Sequence, residues 1–271
     1  MPREFSITKK IGLFFRGLTS SSRLEPEFII AGVQKGGTTS LFAYLDQHPN
    51  LKLSRPKEVH FFDDRYEKGM AYYRRFFPLR ILGKKTGEAS PFYIFHPFVA
   101  ERIKRELPNC KIIIVLRNPI LRAYSHYQMQ RRQGLEKLET FEEAIAAEEE
   151  RIEGEKEKVL ADETYFSEPL RHFTYASRGM YAHQVEQWLN VFGKSQILFL
   201  KSENLSSKPE QELLKVYKFL RLDPTTPKSL LKKHKHNYPE INTKTFEVLK
   251  SKFLADQKEL VKLIGEEFRW F

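Results

Sequence analysis

The run Phe28-Ile29-Ile30-Ala31-Gly32-Val33 is apolar throughout and passes without a break into Gln34-Lys35-Gly36-Gly37-Thr38-Thr39-Ser40. An apolar, partly β-branched segment that ends in a glycine-rich turn reads as a buried parallel strand. Leu41, Phe42 and Leu45 then fall on one helical face, and Pro49 stops that helix. A strand, a glycine-rich turn and a helix in this order aim backbone N–H groups and the positive end of a helix dipole at an anion. Lys35 adds a mobile charge, and Thr38, Thr39 and Ser40 add hydroxyl donors. Such a cluster has no packing role. The chain is therefore expected to build a parallel sheet and to hold a phosphate-like group at the end of its first strand.

The rest of the chain agrees. Lys111 to Leu116 is the strongest strand and the expected centre of the sheet, and Gln196 to Leu200 is another buried strand. Helical spacing covers Thr38 to Gln47, Pro97 to Leu107 with Pro97 in the first position, Ile120 to Gln133, Tyr181 to Phe192, Pro209 to Leu220 and Thr243 to Phe268. Thr140-Phe141-Glu142-Glu143 opens a further helix with a capping box. That helix is expected to run through Glu148-Glu149-Glu150 to about Lys158 as a solvated charged face. Strands alternating with helices predict a single α/β domain, a central parallel sheet flanked by helices with a P-loop-like turn. The domain is expected over 28–271, after an N-terminal arm over 1–27. The arm holds the basic, apolar segment Lys9 to Arg16, too short for a secretory apolar core and followed by no cleavage site. It is read as a loosely docked surface arm rather than a membrane contact. No run of 18 apolar residues occurs, so no transmembrane segment is expected.

Charge narrows the partner without choosing it. Lysine and arginine number 46 against 35 aspartates and glutamates, a net charge of +11. Nucleic acid, anionic lipid, phosphorylated cofactors and acidic polysaccharide would all be attracted. The single cysteine, Cys110, excludes an intrachain disulfide and fits a reducing, cytoplasmic setting.

The motif at the turn departs from that of nucleotide triphosphatases. Their lysine directly follows the last glycine and precedes Ser or Thr. Here Thr38 follows Gly37, and Lys35 stands two residues earlier. A triphosphatase also wants an aspartate ending a neighbouring strand to hold Mg²⁺. The strand ending at Leu116 continues into Arg117-Asn118-Pro119 instead. Arginine cannot bind a metal but can hold a phosphate bidentately. Ser125 follows eight residues later, about two helical turns on. Two separated clamps without a metal suit a nucleotide with a 5′-phosphosulfate and a separate 3′-phosphate. A P-loop-type nucleotide kinase or other NTPase is the alternative, and a non-enzymatic polyanion binder is the third reading.

At these residues the sequence resembles the sulfotransferases that use 3′-phosphoadenylyl sulfate (PAPS), closest to the heparan sulfate sulfotransferase-like branch and its bacterial relatives. Lys35-Gly36-Gly37-Thr38 is similar to the family's 5′-phosphosulfate loop. Arg117-Asn118-Pro119 with Arg122-Ala123-Tyr124-Ser125 is similar to its 3′-phosphate motif. Lys57-Glu58-Val59-His60-Phe61-Phe62 resembles the segment that carries the catalytic glutamate, and Arg178-Gly179-Met180-Tyr181 a turn that opens a later helix. Leu263-Ile264-Gly265 with Phe268-Arg269-Trp270 resembles the family's C-terminal end.

The resemblance implies that Lys35, Gly36, Gly37, Thr38, Thr39, Ser40, Arg117, Ser125 and Arg178 bind PAPS. It implies Glu58 as the base, with Lys35 acting on the leaving group. His60 is the runner-up base because histidine titrates near neutrality, and Glu88 is a weaker candidate for substrate contact. The acceptor it implies is a hydroxyl or amine, on a saccharide or small metabolite, with no nucleic acid partner. No metal is required, since an SO₃ group carries less charge than a phosphoryl group. Two positions depart from the heparan enzymes: Ala89 stands where they carry lysine after the glutamate, and Lys232-Lys233-His234-Lys235-His236 is a poor match to their cofactor-closing loop.

Overall fold

The computed structural model describes residues 7–230 and 240–271, so the basic segment Lys232 to His236 lies outside the described residues. Four strands form one sheet: β1 (Phe28–Gly32), β2 (Gly87–Ala89), β3 (Lys111–Leu116) and β4 (Ile197–Lys201). Their order is β2-β1-β3-β4, and every pairing is parallel.

Both faces of the sheet are covered, which is why its strands read as unbroken apolar runs. Alternate side chains point to opposite faces. Ile29, Ala31, Ile112 and Ile114 join one core with Val99 and Ile103 of the helix Val99–Glu106 and Val185 and Trp188 of the helix Tyr181–Phe192. Phe28, Ile30, Ile113 and Val115 join the other with Leu41 and Leu45 of the helix Thr38–Leu45 and Leu213 and Val216 of the helix Pro209–Leu220. A third cluster packs Ile120 and Tyr127 of the helix Pro119–Arg132 against Phe141, Tyr175, Leu249 and Phe253.

The connections locate the crevice. From β1 the chain moves out to β2, then returns to β3 on the other side of β1 and continues to β4. The order reverses between β1 and β3. In open α/β sheets ligands bind at such a switch point, beyond the carboxyl ends of the strands. The glycine-rich turn follows β1 there, and Arg117 follows β3.

Three expectations change. Pro97 precedes rather than opens its helix, which starts at Val99, and the last long helix, Thr243–Ile264, ends before a 3-10 turn at Glu266–Phe268. The capping box at Thr140 forms with both of its hydrogen bonds, but the helix it opens stops at Ala146. Two more short helices follow, Glu148–Ile152 and Glu155–Ala161, and they are not simply a solvated face. Glu148 is buried and accepts the N–H groups of Ala176 at 2.6 Å and Ser177 at 2.8 Å. Glu155 is buried as well and accepts the Ser167 hydroxyl at 2.5 Å. Buried carboxylates need such donors, and nearby loops supply them.

The N-terminal arm is also more firmly held than expected. A helix spans Ile7–Gly17, and its Leu13 enters the first core. Arg16 donates to the carbonyl oxygen of Phe77 at 2.7 Å, and Arg23 donates to the same oxygen at 2.7 Å. These contacts staple the arm to the domain.

Candidate active site

The turn after β1 is seated on β3. The Val33 N–H donates to the Val115 carbonyl at 2.9 Å, and the Gly36 N–H to the Val33 carbonyl at 2.9 Å. A Cβ on Gly36 would lie 2.5 Å from the Val115 oxygen, so no other residue fits. Gly37 has φ +97, which glycine adopts freely, whereas Lys35 takes φ 71 at a cost on the order of 1–3 kcal/mol. The helix begins at Thr38, and Leu41 donates to the Gly37 carbonyl at 3.1 Å. The amides before it have no intrahelical acceptor, as at any helix start, and carry the positive end of the dipole.

The exit of β3 meets this turn. Arg117 Nη1 donates to the Lys35 carbonyl oxygen at 3.0 Å. Tyr181 donates its hydroxyl to the Arg117 carbonyl at 2.9 Å. Asn118 caps the following helix by accepting from the amides of Ile120 at 3.0 Å and Leu121 at 3.2 Å. Ser125 lies on that helix and is almost wholly buried. Burial, with the positive charges of Arg132 and Arg117, lowers the Lys35 ammonium to about 8, and Glu58 partly offsets them. Glu58 is thus close enough to Lys35 to act on its charge.

Arg178 stands behind the turn rather than in the crevice. Its side chain is fully buried, and it donates to Gln34 Oε1 at 2.5 Å and to the Leu170 carbonyl at 2.6 Å. The guanidinium also lies over the Phe92 ring, 4.8 Å from its centroid. With those donors engaged and no exposed surface, Arg178 braces the turn through Gln34.

The segment expected to hold the base forms a charge relay. Lys57 Nζ lies 3.0 Å from Glu58 Oε1, and His60 Nε2 lies 3.3 Å from Glu58 Oε2. On its other side His60 Nδ1 lies 2.8 Å from Asp63 Oδ2. Burial opposes the imidazolium, but the Asp63 charge and the hydrogen bonds to Asp63 and Glu58 outweigh it and hold His60 at about 9. Burial likewise opposes ionisation of Glu58, yet the bond from His60 and the charge of Lys57 keep it well below the ordinary carboxylate range. His60 is part-exposed, with φ 50. Among the described residues, His60, Asp63 and Asp64 form a group with metal-ligand spacing. Arg171 occupies that cluster, ion-paired to Asp64 and lying 3.2 Å from Asp63 Oδ2.

Glu88 sits beneath this segment, fully buried on β2. It accepts the hydroxyls of Tyr73 at 2.7 Å, Ser90 at 2.7 Å and Tyr93 at 3.1 Å. The Ser90 oxygen in turn accepts the His60 N–H at 3.3 Å, and the Tyr93 oxygen accepts the Phe61 N–H at 3.0 Å. Burial raises the Glu88 carboxyl to about 7 although all three hydroxyls lower it. Glu88 therefore supports the segment from below, and its surroundings are a polar hub.

Sequence reasoning missed Asp63, Asp64, Arg171 and Gln34. Asp63 carried a usable signal, because it stands three residues after His60. Arg171 carried none, since its approach depends on where the helix Glu168–His172 packs.

A family model described as "Sulfotransferase domain" matches residues 25–269. The chain is 30% identical to human heparan sulfate glucosamine 3-O-sulfotransferase 3B1 over 96% of this chain and 68% of that protein. It is 34% identical to the mouse 3B1 protein over 78% of this chain and 50% of that one. The chain thus spans about half to two thirds of the length of these curated relatives. Among solved structures, a sulfotransferase from Alicyclobacillus acidocaldarius superposes with a TM-score of 0.72 at 34% identity, covering 89% of this chain and 96% of that one.

Proposed function

The chain belongs to the sulfotransferase family, and from that membership we propose that it moves a sulfuryl group from PAPS to a hydroxyl of a glycan acceptor. The observation that carries the reading is the meeting of the Lys35 turn with Arg117 at the switch point of the sheet. The turn amides and Lys35 hold the 5′-phosphosulfate, while Arg117 and Ser125 hold the 3′-phosphate. The glycan is drawn from the two 3-O-sulfotransferase relatives.

Sulfuryl transfer is in-line and loose, so positioning and fixed charge supply most of the rate. The S–O bond to the 5′-phosphate breaks as the acceptor oxygen bonds to sulfur. Negative charge develops on the bridging phosphate oxygen, where Lys35 stabilises it. The acceptor proton passes to Glu58 as the new bond forms. His60, held as an imidazolium between two carboxylates, has no lone pair with which to accept it. It aligns Glu58 and is itself fixed by Asp63.

Nucleotide preference tests this reading against a kinase. The product nucleotide with both 3′- and 5′-phosphates (PAP) binds the folded state and raises its melting temperature, by on the order of 5 °C or more near saturation. AMP does much less. A larger shift from ATP with Mg²⁺ than from PAP would return the NTPase reading.

A further inference from the structure

We propose that the end of the molecule formed by the N-terminal helix and the loop before β2 docks on an anionic lipid surface. Phe14, Phe15 and Leu18 are 63%, 61% and 73% exposed, and Leu79, Ile81 and Leu82 are 48%, 48% and 101% exposed. The two segments are joined. Arg80 donates its N–H to the Ser22 carbonyl at 2.9 Å, Leu24 donates its N–H to the Pro78 carbonyl at 2.9 Å, and Arg23 bridges to Leu79. The staples from Arg16 and Arg23 to the Phe77 carbonyl fix the helix beside the loop. The other exposed large apolar side chains among the described residues are scattered elsewhere, on helices apart from Leu135 in the turn after the helix Pro119–Arg132.

The charge around this apolar edge is predominantly positive. Residues 12–24 hold Arg16 and Arg23 with no acidic residue, and residues 68–87 hold Lys68, Arg74, Arg75, Arg80, Lys84 and Lys85 with none. The acidic residues beside them are paired, Glu25 to Arg74 at 2.6 Å and Glu27 to Lys85 at 3.2 Å. A second copy of this chain would bring the same basic surface and be repelled. A polyanionic glycan would match the charge but offer no apolar layer. An anionic bilayer supplies both, an apolar boundary for Phe and Leu side chains and a negative surface potential for Lys and Arg. From the sequence the arm reads as a loosely docked surface segment rather than a membrane contact; the fold extends its apolar part with the loop 79–82.

Docking here leaves the crevice open. The loop feeds β2 at its amino end, and the sheet is parallel, so the patch lies at the edge opposite the Lys35 turn. The inference stands independently of sulfuryl transfer.

The test is co-sedimentation of the full chain with phosphatidylcholine vesicles made with and without phosphatidylserine. Binding is expected only with phosphatidylserine, and it weakens as salt is raised. The double variant Phe15→Ser, Leu82→Ser is expected to lose binding about ten-fold while PAP still stabilises it as in the unaltered protein. Leu82→Trp is expected to show a blue-shifted emission on the anionic vesicles. Equal sedimentation with both vesicle types, unchanged binding by the double variant, or a dimer in solution that the double variant abolishes would each overturn the proposal.

Discussion

Arg117 and Lys35 are joined by a hydrogen bond of 3.0 Å from guanidinium to carbonyl, across 82 residues of sequence. The side chain assigned to the 3′-phosphate therefore also holds the backbone of the 5′-phosphosulfate turn. That turn keeps Lys35 in a left-handed conformation, so its anchoring matters.

Arg117→Ala is expected to weaken PAP binding by roughly 1.5–3 kcal/mol, about 10- to 100-fold. It should also lower the transfer rate, because the Lys35 carbonyl loses its partner. Arg117→Lys keeps the charge without the planar fork and should fall between. Calorimetric affinities that do not differ between Arg117→Ala and the unaltered protein would remove Arg117 from the site.

Lys35 sets an alkaline limit. Its ammonium is lowered from the ordinary 10.5 to about 8, so its charge is lost as pH rises through that value. The pH profile of kcat/KM for PAPS, which reports the free enzyme, should fall on the alkaline side near 8. Lys35→Arg stays charged and should carry the limb to higher pH. An unmoved limb in Lys35→Arg would assign the titration to another group.

Glu58→Gln keeps shape but cannot accept a proton. The expected loss is about 10²–10⁴-fold in single-turnover transfer, with PAP affinity near that of the unaltered protein. His60→Asn should cost less, because it only loosens Glu58. The reverse ranking would make His60 the base.

Glu88 makes stability depend on pH. Its folded value, about 7, lies above the ordinary 4.5, so the folded state binds the extra proton. Stability from this group is complete below 4.5, declines as pH rises to about 7, and then levels off. Relative to the unaltered protein, Glu88→Gln should therefore gain melting temperature between pH 5 and 8. A constant difference across that range would show that Glu88 is already ionised.

The sheet was legible because β1 and β3 are buried on both faces and read as unbroken apolar runs. The phosphate turn was legible because glycines, lysine and hydroxyls crowd one strand end. The relay was half legible: Glu58 was named through resemblance and His60 as its runner-up, yet Asp63 and Arg171 become partners only when the helix Glu168–His172 packs beside residues 60–64. Arg178 was half legible for a related reason. Its motif marks a turn near the site, but burial and Gln34 direct its guanidinium inward. The acidic segment misled because local charge density says nothing of which carboxylates meet backbone amides from a distant loop, as Glu148 does.

The most direct test is transfer itself. The protein is incubated with labelled PAPS and a panel of glycan, lipid-linked sugar, small-metabolite and tyrosine-peptide acceptors, and products are identified by mass spectrometry. The account predicts one SO₃ group added to a glycan hydroxyl, one PAP released per transfer, and loss of both in Lys35→Ala and Glu58→Gln. No sulfated product from any acceptor, or transfer undiminished in both variants, would contradict it.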